Sequence, residues 1–517
     1  MSTVNIIDTF EYAIPVDDES APRHSVAIAL GFFVGFLVLI FAFAGSAGAQ
    51  AASAVRPAVA ITHVNIVDVE SGRILHDMRV EVSGGIIRYV GKEGSAGTRT
   101  TSPVLINGTG KYLIPGLWDM HVHGAYPLFP ALLGPQYIAN GVTGVREMFG
   151  DLAVIRQWRA TSATADTIWP RVVASGHIVD GKPPIWPTSV VAVTEADGRH
   201  AVDSLKEAGA DFIKVYSLLP RAAYIGVAKR AKELGIPYVG HVSYSMTVAE
   251  ASDLGQKSIE HLDGIIRACS SRDAEFRPLV RSIVERGVGF DSIIGAGRMQ
   301  NEALFDSQDE GTCSALAATL RKNGTWLSPT LTVLHGMGWA DDTTQLSDPR
   351  LQYMPKFLTA GWVPKNDFRL KTMTPESWAR RKREFKRNLE LVRYLHERGV
   401  SIIAGTDMLN PWVFAGWSLH DELAYYVDAG LTPLEALRTA TLNPARFLDK
   451  QKETGTVAEG KWADLVLLDA NPLENIRNTT AINTVIADGR LVTPERRQQM
   501  LEAVKLLAKP NIPVRKP

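Results

Sequence analysis

The middle of the chain, residues 114–450, alternates short apolar runs with segments of helical spacing, and this alternation narrows the choice of folds most. Eight of the runs are long enough to be strands: Leu117–Val122, Val142–Arg146, Arg171–Ala174, Phe212–Tyr216, Tyr238–His241, Ser258–His261, Trp326–Pro329 and Ile402–Asp407. Strands that alternate with helices form a parallel sheet, and eight such units close a barrel. The sequence therefore predicts an α/β fold whose main domain is a (β/α)8 barrel of the TIM type.

The two regions that flank the barrel are rich in strand patterns. Residues 58–113 contain short alternating stretches separated by turn residues such as Gly84 and Gly85. Residues 451–510 contain stretches of the same kind, for example Trp462–Asp469. We expect these two parts of the chain to form one small β-sandwich beside the barrel.

Residues 1–50 form a third region, which begins with a polar and acidic stretch. Residues 26–43 then run for eighteen positions without a charge, the lower limit for a helix that crosses a bilayer. The following residues, through Ala47 and Ala49, resemble a signal-peptidase site. We expect a signal peptide or a membrane anchor, and a catalytic domain exported to the periplasmic or extracellular side. A buried core helix is the alternative.

Charge and cysteine content exclude some classes of site. The 55 basic and 55 acidic side chains cancel, so no excess charge points to nucleic acid as a partner. Cys269 and Cys313 match no metal-ligand spacing, and we interpret them as buried free thiols rather than as a disulfide. The sequence carries no signal for an oligomeric state.

In a barrel of this type the active site lies at the carboxyl ends of the strands. The chemically capable residues at those ends are His121, His123, Lys214, His241, His261 and Asp407. Residues two apart on a strand point the same way, so the first two imidazoles can face one point. Imidazole and carboxylate ligands suit divalent metal ions. The sequence therefore predicts a metal site at this end of the barrel.

Lys214 lies on an apolar strand, where an unpaired ammonium would be costly to bury. Two interpretations stay open from the residues alone. The amine could add CO2 to become a carbamate, an oxygen-donating anion that can bridge two cations. Alternatively, the ammonium could pair with a nearby carboxylate such as Asp211 or Glu207.

Several stretches of the sequence resemble the amidohydrolase superfamily. They are Pro115–Gly124, Phe212–Tyr216, Gly240-His241, Glu260-His261, Gly405–Asp407, Leu431–Arg446 and Gly455–Asp469. The resemblance covers residues 58 to about 500, and it is closest to the imidazolonepropionase-related branch, which includes prolidase-like dipeptidases.

This resemblance implies two divalent metal ions, with zinc as the default and manganese, cobalt or iron as alternatives. His121 and His123 match the ligands of the more buried ion, and His241 and His261 those of the more exposed one. Lys214 matches the carboxylated lysine that bridges both ions. The resemblance also gives Asp407 two roles. It binds the buried ion, and it transfers a proton from a metal-bridging hydroxide to the leaving nitrogen.

The implied function is hydrolysis of a carbon–nitrogen bond in a small-molecule substrate, with dipeptides or N-acyl amino acids as the leading class. Tyr244 matches a tyrosine that faces the substrate, and His177 is a further candidate for substrate contact. The segment Gly336–Thr374 is expected to cover the site, with Trp339, Trp362 and Arg267 as candidates for setting specificity.

Three other functions are weighed against this one. A cyclic-amide or lactone hydrolase would use the same two-metal site. A mononuclear deaminase would need a glutamate three residues after His241, where this chain has Tyr244. A non-catalytic binding module would be expected to have lost ligands, whereas all six are present.

Overall fold

The computed structural model describes residues 56–95, 100–162, 168–262, 264–287 and 303–509. The predicted signal peptide or anchor, including residues 26–43, lies outside this part of the chain. Among the described residues, no helix combines the length and the apolar character that spanning a membrane requires.

The first strands of the chain belong to a sheet outside the barrel. They are β1 (Val59–Val67), β2 (Ile74–Ser83), β3 (Ile86–Lys92), β4 (Val104–Asn107) and β5 (Tyr112–Pro115). The strands of the central region follow as β6 (Leu117–Val122), β7 (Val142–Glu147), β8 (Arg171–Ala174), β9 (Val179–Asp180), β10 (Val190–Val191), β11 (Ile213–Val215), β12 (Tyr238–Gly240), β13 (Ser258–Glu260) and β14 (Trp326–Ser328). The chain ends with β15 (Leu465–Leu468), β16 (Ile482–Ala487) and β17 (Arg490–Val492).

The central strands form a TIM-barrel-like α/β fold. Strands β6, β7 and β8 pair in parallel, as do β11, β12, β13 and β14. Strand β9 lies beside β11, and the N–H of Asp211 donates to the carbonyl of Ala174 over 2.8 Å, which joins β8 to β11. Seven of the predicted strands are therefore present, with ends that differ by one residue at most.

The eighth predicted strand, Ile402–Asp407, is not a regular strand. Single bridges pair Ile402 with Leu327 and Met408 with Val122, and they close the circle between β14 and β6. The extended conformation is interrupted because Asp407 has φ 62°. Gly405 also lies so close to β6 that a Cβ atom there would be 2.7 Å from the Cβ of His121.

The two flanking regions come together in one hydrogen-bonded sheet. The order of this eight-stranded sheet is β17-β16-β15-β5-β1-β2-β3, and β4 pairs with β1. Because β15 pairs directly with β5, strands from the two ends of the chain continue one hydrogen-bonded ladder. The sheet has its own hydrophobic core, which includes Ile61, Val80 and Leu465.

Helices surround the barrel. The α-helices of the described residues are α1 (Phe129–Ala139), α2 (Leu152–Ser162), α3 (Glu195–Glu207), α4 (Arg221–Leu234), α5 (Val248–Asp253), α6 (Ile265–Ala268), α7 (Asp273–Glu285), α8 (Glu310–Asn323), α9 (Leu331–Gly338), α10 (Lys356–Ala360), α11 (Pro375–Glu397), α12 (Trp417–Asp428), α13 (Pro433–Thr439), α14 (Leu442–Phe447) and α15 (Pro494–Ala508). Threonine side chains cap several of them, for example Thr374 at the start of α11.

The segment Gly336–Thr374 contains α10 and short 3-10 turns, and it packs closely on the barrel. Trp362 is buried and contacts the rings of Trp412 and Phe414. Trp339 stacks on His335. The structure therefore gives both tryptophans packing roles, and neither ring contacts a predicted ligand.

The two cysteines form a disulfide, so the interpretation as free thiols is wrong. Cys269 directly follows α6, Cys313 lies in α8, and their Cα atoms are 4.3 Å apart. Their separation of 44 residues in the sequence gave no indication of this contact, because it arises only when α6 and α8 come together in the fold.

A buried carboxyl group makes the stability of this fold depend on pH. Glu422, on α12, accepts hydrogen bonds from the N–H groups of Leu331 and Thr332, which begin α9. Burial raises the pKa of Glu422 to about 7. The folded state therefore binds a proton that the unfolded state has already released, and the corresponding stability is lost as pH rises from about 4.5 through 7.

We expect Glu422→Gln to flatten this dependence. The melting temperature of the wild-type protein should fall between pH 5 and pH 8, with Glu422 contributing on the order of 3 kcal/mol. The variant should fall less, because its neutral amide does not titrate. The control is Glu390→Gln, at an exposed position of α11, which should keep the wild-type slope. An unchanged slope in Glu422→Gln would contradict the assignment.

Candidate metal centre

The structure brings all six predicted ligands to one end of the barrel. His121 lies in β6 and His123 follows it, while His241 and His261 directly follow β12 and β13. The ring centroids of His121 and His261 are 4.6 Å apart, and those of His241 and His261 are 4.9 Å apart. The four imidazoles therefore surround one small volume.

The Asp407 carboxylate joins this group. Its Oδ1 atom is 2.9 Å from His123 Nε2 and 3.4 Å from His121 Nε2. One ligand atom from each of His121, His261 and Asp407 lies within 4.8 Å of the others. This spacing would allow one cation to contact all three residues, so they form a candidate His/Asp metal site.

Each of three histidines is oriented by a second residue through its Nδ1 atom. The partner of His121 is the Glu260 carboxylate at 2.8 Å. Hydroxyl groups hold the other two at 2.7 Å, Ser217 for His241 and Thr330 for His261. Nε2 is therefore the candidate ligand atom in each ring. Such partners fix the orientation of a ligand and increase its basicity.

The orienting roles of these three residues were not predicted from the sequence. The available signal was the position of Glu260, a carboxylate at the end of a buried strand. For Ser217 and Thr330 there was no comparable signal, because hydroxyl residues are common in loops.

The donor set fits a cation. No described residue donates to or accepts from His121 Nε2, although this atom is buried. A buried polar atom without a hydrogen bond costs about 1–3 kcal/mol. A cation at the centre would remove that cost.

The protonation states also suit metal binding, which requires neutral imidazole and ionised carboxylate. Burial lowers the pKa of His121 and His241, and the charge of Lys214 lowers both further. Burial also lowers the pKa of His261, to about 4. Burial alone would raise the pKa of Asp407, but the neighbouring histidines hold it well below its usual range.

A buried ion pair lies behind His121. The guanidinium of Arg146 is 2.9 Å from both oxygens of Glu260, and it also donates to the Ser258 hydroxyl. Burial would raise the pKa of Glu260, but Arg146 and the nearby Lys214 hold it below its usual range. Glu260 therefore remains a carboxylate and accepts the proton of His121 Nδ1.

Lys214 is buried in β11, which pairs with β12, the strand that His241 follows, and its charge lowers the pKa of both His121 and His241. The two carboxylates that the sequence offered as its partners lie elsewhere. Asp211 pairs with Arg159 and accepts from the N–H of Ala174, and Glu207 is exposed.

Tyr244 and His177 occupy different positions around the centre. Tyr244 lines a cavity of about 240 Å³ together with the ligand His261. Other residues of this cavity are Val242, Met246, Leu262, Arg267, Arg277 and Leu334. The ring of His177 lies 6.2 Å from Phe149, whose own ring is 6.5 Å from His123. His177 is therefore separated from the ligands by an aromatic side chain.

The model for the amidohydrolase family matches residues 219–492 of this chain. Imidazolonepropionase from Caldanaerobacter subterraneus subsp. tengcongensis is 37% identical over 94 residues, 18% of this chain and 22% of that protein. Ochratoxinase from Aspergillus niger is 35% identical over 107 residues, 20% of this chain and 21% of that protein. The chain thus spans about a fifth of the length of these curated relatives.

Solved structures are similar over most of the chain. Bottromycin amidohydrolase superposes with a TM-score of 0.66 at 22% identity, covering 87% of this chain and 91% of that chain. A Xaa-Pro dipeptidase with bound methionine in the active site superposes with a TM-score of 0.59 at 20% identity, covering 84% and 100%. At these identities the similarity shows the fold, which is TIM-barrel-like.

We expect Glu260→Gln to weaken metal binding by about 10–100-fold, because the amide cannot hold His121 as a carboxylate does. The measurement is competition with a chelator, followed by metal analysis. Glu81→Gln is the matched control, since Glu81 is also buried and pairs with an arginine, Arg79, but lies in the flanking sheet. Equal metal affinity in the two variants would contradict the role of Glu260.

Proposed function

The chain belongs to the amidohydrolase family, and on that premise we propose that it hydrolyses amide C–N bonds, with dipeptides or N-acyl amino acids as substrates. The observation that supports this most is the convergence of His121, His261 and Asp407 at the carboxyl ends of the barrel strands. The similarity in fold to bottromycin amidohydrolase and to a Xaa-Pro dipeptidase agrees with this proposal.

We propose that the centre holds two divalent ions, with zinc as the first choice because the ligands mix nitrogen and oxygen. His121, His123 and Asp407 would hold one ion, and His241 and His261 the other. Lys214, as a carbamate, would contribute oxygen to both. Ions bound here would polarise the scissile carbonyl and lower the pKa of the attacking water.

The residues of the chain then have separate tasks. Asp407 accepts a proton from the attacking water and delivers it to the leaving nitrogen. The Tyr244 hydroxyl, at the edge of the cavity, donates a hydrogen bond to the developing oxyanion or to a substrate carboxylate. Glu260 and Ser217 hold His121 and His241 in place while negative charge develops on the substrate. We also propose that His177, whose ring lies beside Phe149, contacts a part of the substrate that extends away from the metal centre.

Two residues of this chain, Tyr244 and Lys214, favour hydrolysis over deamination. A deaminase needs a carboxylic acid three residues after His241 to shuttle protons, and this chain has Tyr244 there. The charge of the buried Lys214 also acts on His121 and His241, and a single-metal site would give this lysine no role.

We expect Asp407→Asn to reduce turnover by about 100-fold or more, because the amide cannot transfer the proton. The assay uses zinc-loaded protein with a library of dipeptides and N-acyl amino acids, and with hydantoins and lactones for contrast. Metal analysis of the wild-type protein should find two ions per chain. Asp428→Asn, an exposed position at the end of α12, is the control. Near wild-type turnover in Asp407→Asn would falsify the proton-transfer role.

We also propose that the barrel is exported, as the apolar stretch at residues 26–43 predicts. The disulfide between Cys269 and Cys313 supports this, because disulfides persist in oxidising compartments. Alkaline phosphatase fused after Arg56, with and without residues 1–50, provides the test. We expect activity only with those residues present, and equal activity of the two fusions would contradict export.

A further inference from the structure

Two arginines in the segment after β14 make the same local contact. Each folds back onto the aspartate two residues before it, in Asp348-Pro-Arg350 and in Asp367-Phe-Arg369. Arg350 donates from Nε and Nη2 to Asp348 at 3.0 and 2.7 Å. Arg369 donates from the same atoms to Asp367 at 3.0 and 2.6 Å. Their side chains are similarly accessible, at 28% and 24%.

The remaining partners of the two arginines differ in charge. Nη1 of Arg350 donates to a second carboxylate, that of Asp421, at 2.6 Å. Nη1 of Arg369 donates to the neutral side-chain oxygen of Asn410 at 2.8 Å. Within the described residues, the hydrogen bonds of Arg369 use three of its five N–H groups. Arg369 thus donates hydrogen bonds to one carboxylate, whereas Arg350 donates to two. The Arg369 guanidinium can therefore bind one further anion.

Arg369 is tied to the metal centre through Asn410. The Nδ2 group of Asn410 donates to the backbone carbonyl of Asp407 at 3.0 Å, while its Oδ1 accepts from Arg369. The charge of the guanidinium also reaches the centre. Burial lowers the pKa of Arg369, but Asp367, Asp407 and Tyr216 raise it above its ordinary value. The ring of Tyr216 itself lies 4.0 Å from that of His241.

We propose that Arg369 binds the carboxylate of the amino acid that leaves the site, so that the substrates are N-acylated or N-aminoacylated amino acids with an unblocked carboxyl group. This inference rests on the proposed amide hydrolysis. Asp407 delivers its proton to the leaving nitrogen, and the α-carboxylate is only two bonds from that nitrogen. A guanidinium that is linked to Asp407 through Asn410 is therefore well placed to bind it, and arginine is suited to two-pronged contact with carboxylates.

The surface next to Arg369 indicates which amino acids fit. Its guanidinium lies 5.6 Å from the ring centroid of Phe368. That ring is 6.4 Å from Trp186, and Trp186 is 6.5 Å from Phe149. These rings form a wall that would contact the side chain of the bound amino acid. Aromatic or other bulky apolar side chains are therefore the class we assign, and phenylalanine derivatives are the appropriate probes.

The cavity beside His261 contains two other arginines that could bind the leaving carboxylate. Arg267 and Arg277 both line it, and both approach the same carboxylate, that of Asp273, at 3.8 and 2.7 Å. Arg277 also donates to the carbonyl of Met246 at 2.8 Å. Because Arg267 and Arg277 both approach Asp273, whereas Arg369 is linked to Asp407 through Asn410, we assign the leaving carboxylate to Arg369, and the test includes Arg267.

The test measures binding in the zinc-loaded Asp407→Asn protein, where turnover does not interfere. Isothermal titration compares N-acetyl-L-phenylalanine with N-acetyl-L-phenylalaninamide, which lacks the negative charge. We expect the acid to bind more tightly. Adding Arg369→Met should weaken the acid by about 10–100-fold and the amide by less than about threefold, as for loss of a charged hydrogen bond. Arg350→Met, the matched control, should leave the preference for the acid unchanged.

A second variant keeps Arg369 in place and so tests the idea if Arg369→Met does not fold. Asn410→Asp gives Arg369 a second carboxylate, as Arg350 has, and should remove most of the preference for the acid. The inference is overturned if Arg369→Met weakens both probes equally, if the acid does not bind, or if only Arg267→Met removes the preference.

Failure of this inference can be told apart from failure of the proposed function. If the zinc-loaded protein with Asp407 intact hydrolyses no amide but binding still depends on Arg369, amide hydrolysis is wrong and the carboxylate site stands. If the protein hydrolyses amides but binds acid and amide probes equally well, the function stands and the carboxylate site is wrong.

Discussion

The centre depends on the hydrogen bonds that join the first barrel strand to the last barrel segment. The N–H of Asp407 donates to the carbonyl of His121 at 2.8 Å. Behind it, the buried Asp119 carboxylate accepts from the hydroxyl and the N–H of Thr406 at 2.7 and 3.0 Å. Ligands from opposite ends of the barrel domain meet only because these bonds hold the two segments together, and Gly405 is needed because no side chain fits between them.

Buried charged residues fix the position of the candidate ligands. Burying a charge is costly unless each charged group has a partner. Arg146 and Glu260 are both fully buried, and each satisfies the other while Glu260 also holds His121. In the segment after β14, Arg350 and Arg369 remain partly accessible to solvent. Their charges therefore cost less to desolvate than that of Arg146. The candidate ligands are thus held by the interior of the barrel, whereas Arg369, which we assign to substrate recognition, lies on the segment after β14.

The sequence was informative where chemistry follows the strand period. Because His121 and His123 are two residues apart on an apolar strand, their side chains were predicted to point the same way. The resemblance to the amidohydrolase superfamily added the other candidate ligands, and the family comparison confirms the family. Contacts between distant segments were not readable in the same way. The Cys269–Cys313 disulfide and the bond from Arg369 to Asn410 depend on how helices and loops come together, and nothing in local spacing encodes that. The sequence predicts that the segment after β14 covers the site, with Trp339, Trp362 and Arg267 as candidates for setting specificity, but it gives no indication of Arg369.

Strand β13 ends at Glu260, after which the backbone leaves the extended conformation. Consecutive residues of a strand point to opposite faces, yet Glu260 and His261 both face the centre, one bonded to His121 and the other within ring contact of it. The chain achieves this by leaving the extended conformation at His261, where φ is 58°. Asp407 and Thr330, which orients His261, also have positive φ values of 62° and 50°. Such conformations cost about 1–3 kcal/mol each and persist only where surrounding bonds enforce them. Three of the eleven described non-glycine residues with positive φ therefore help to direct ligand atoms to this one point.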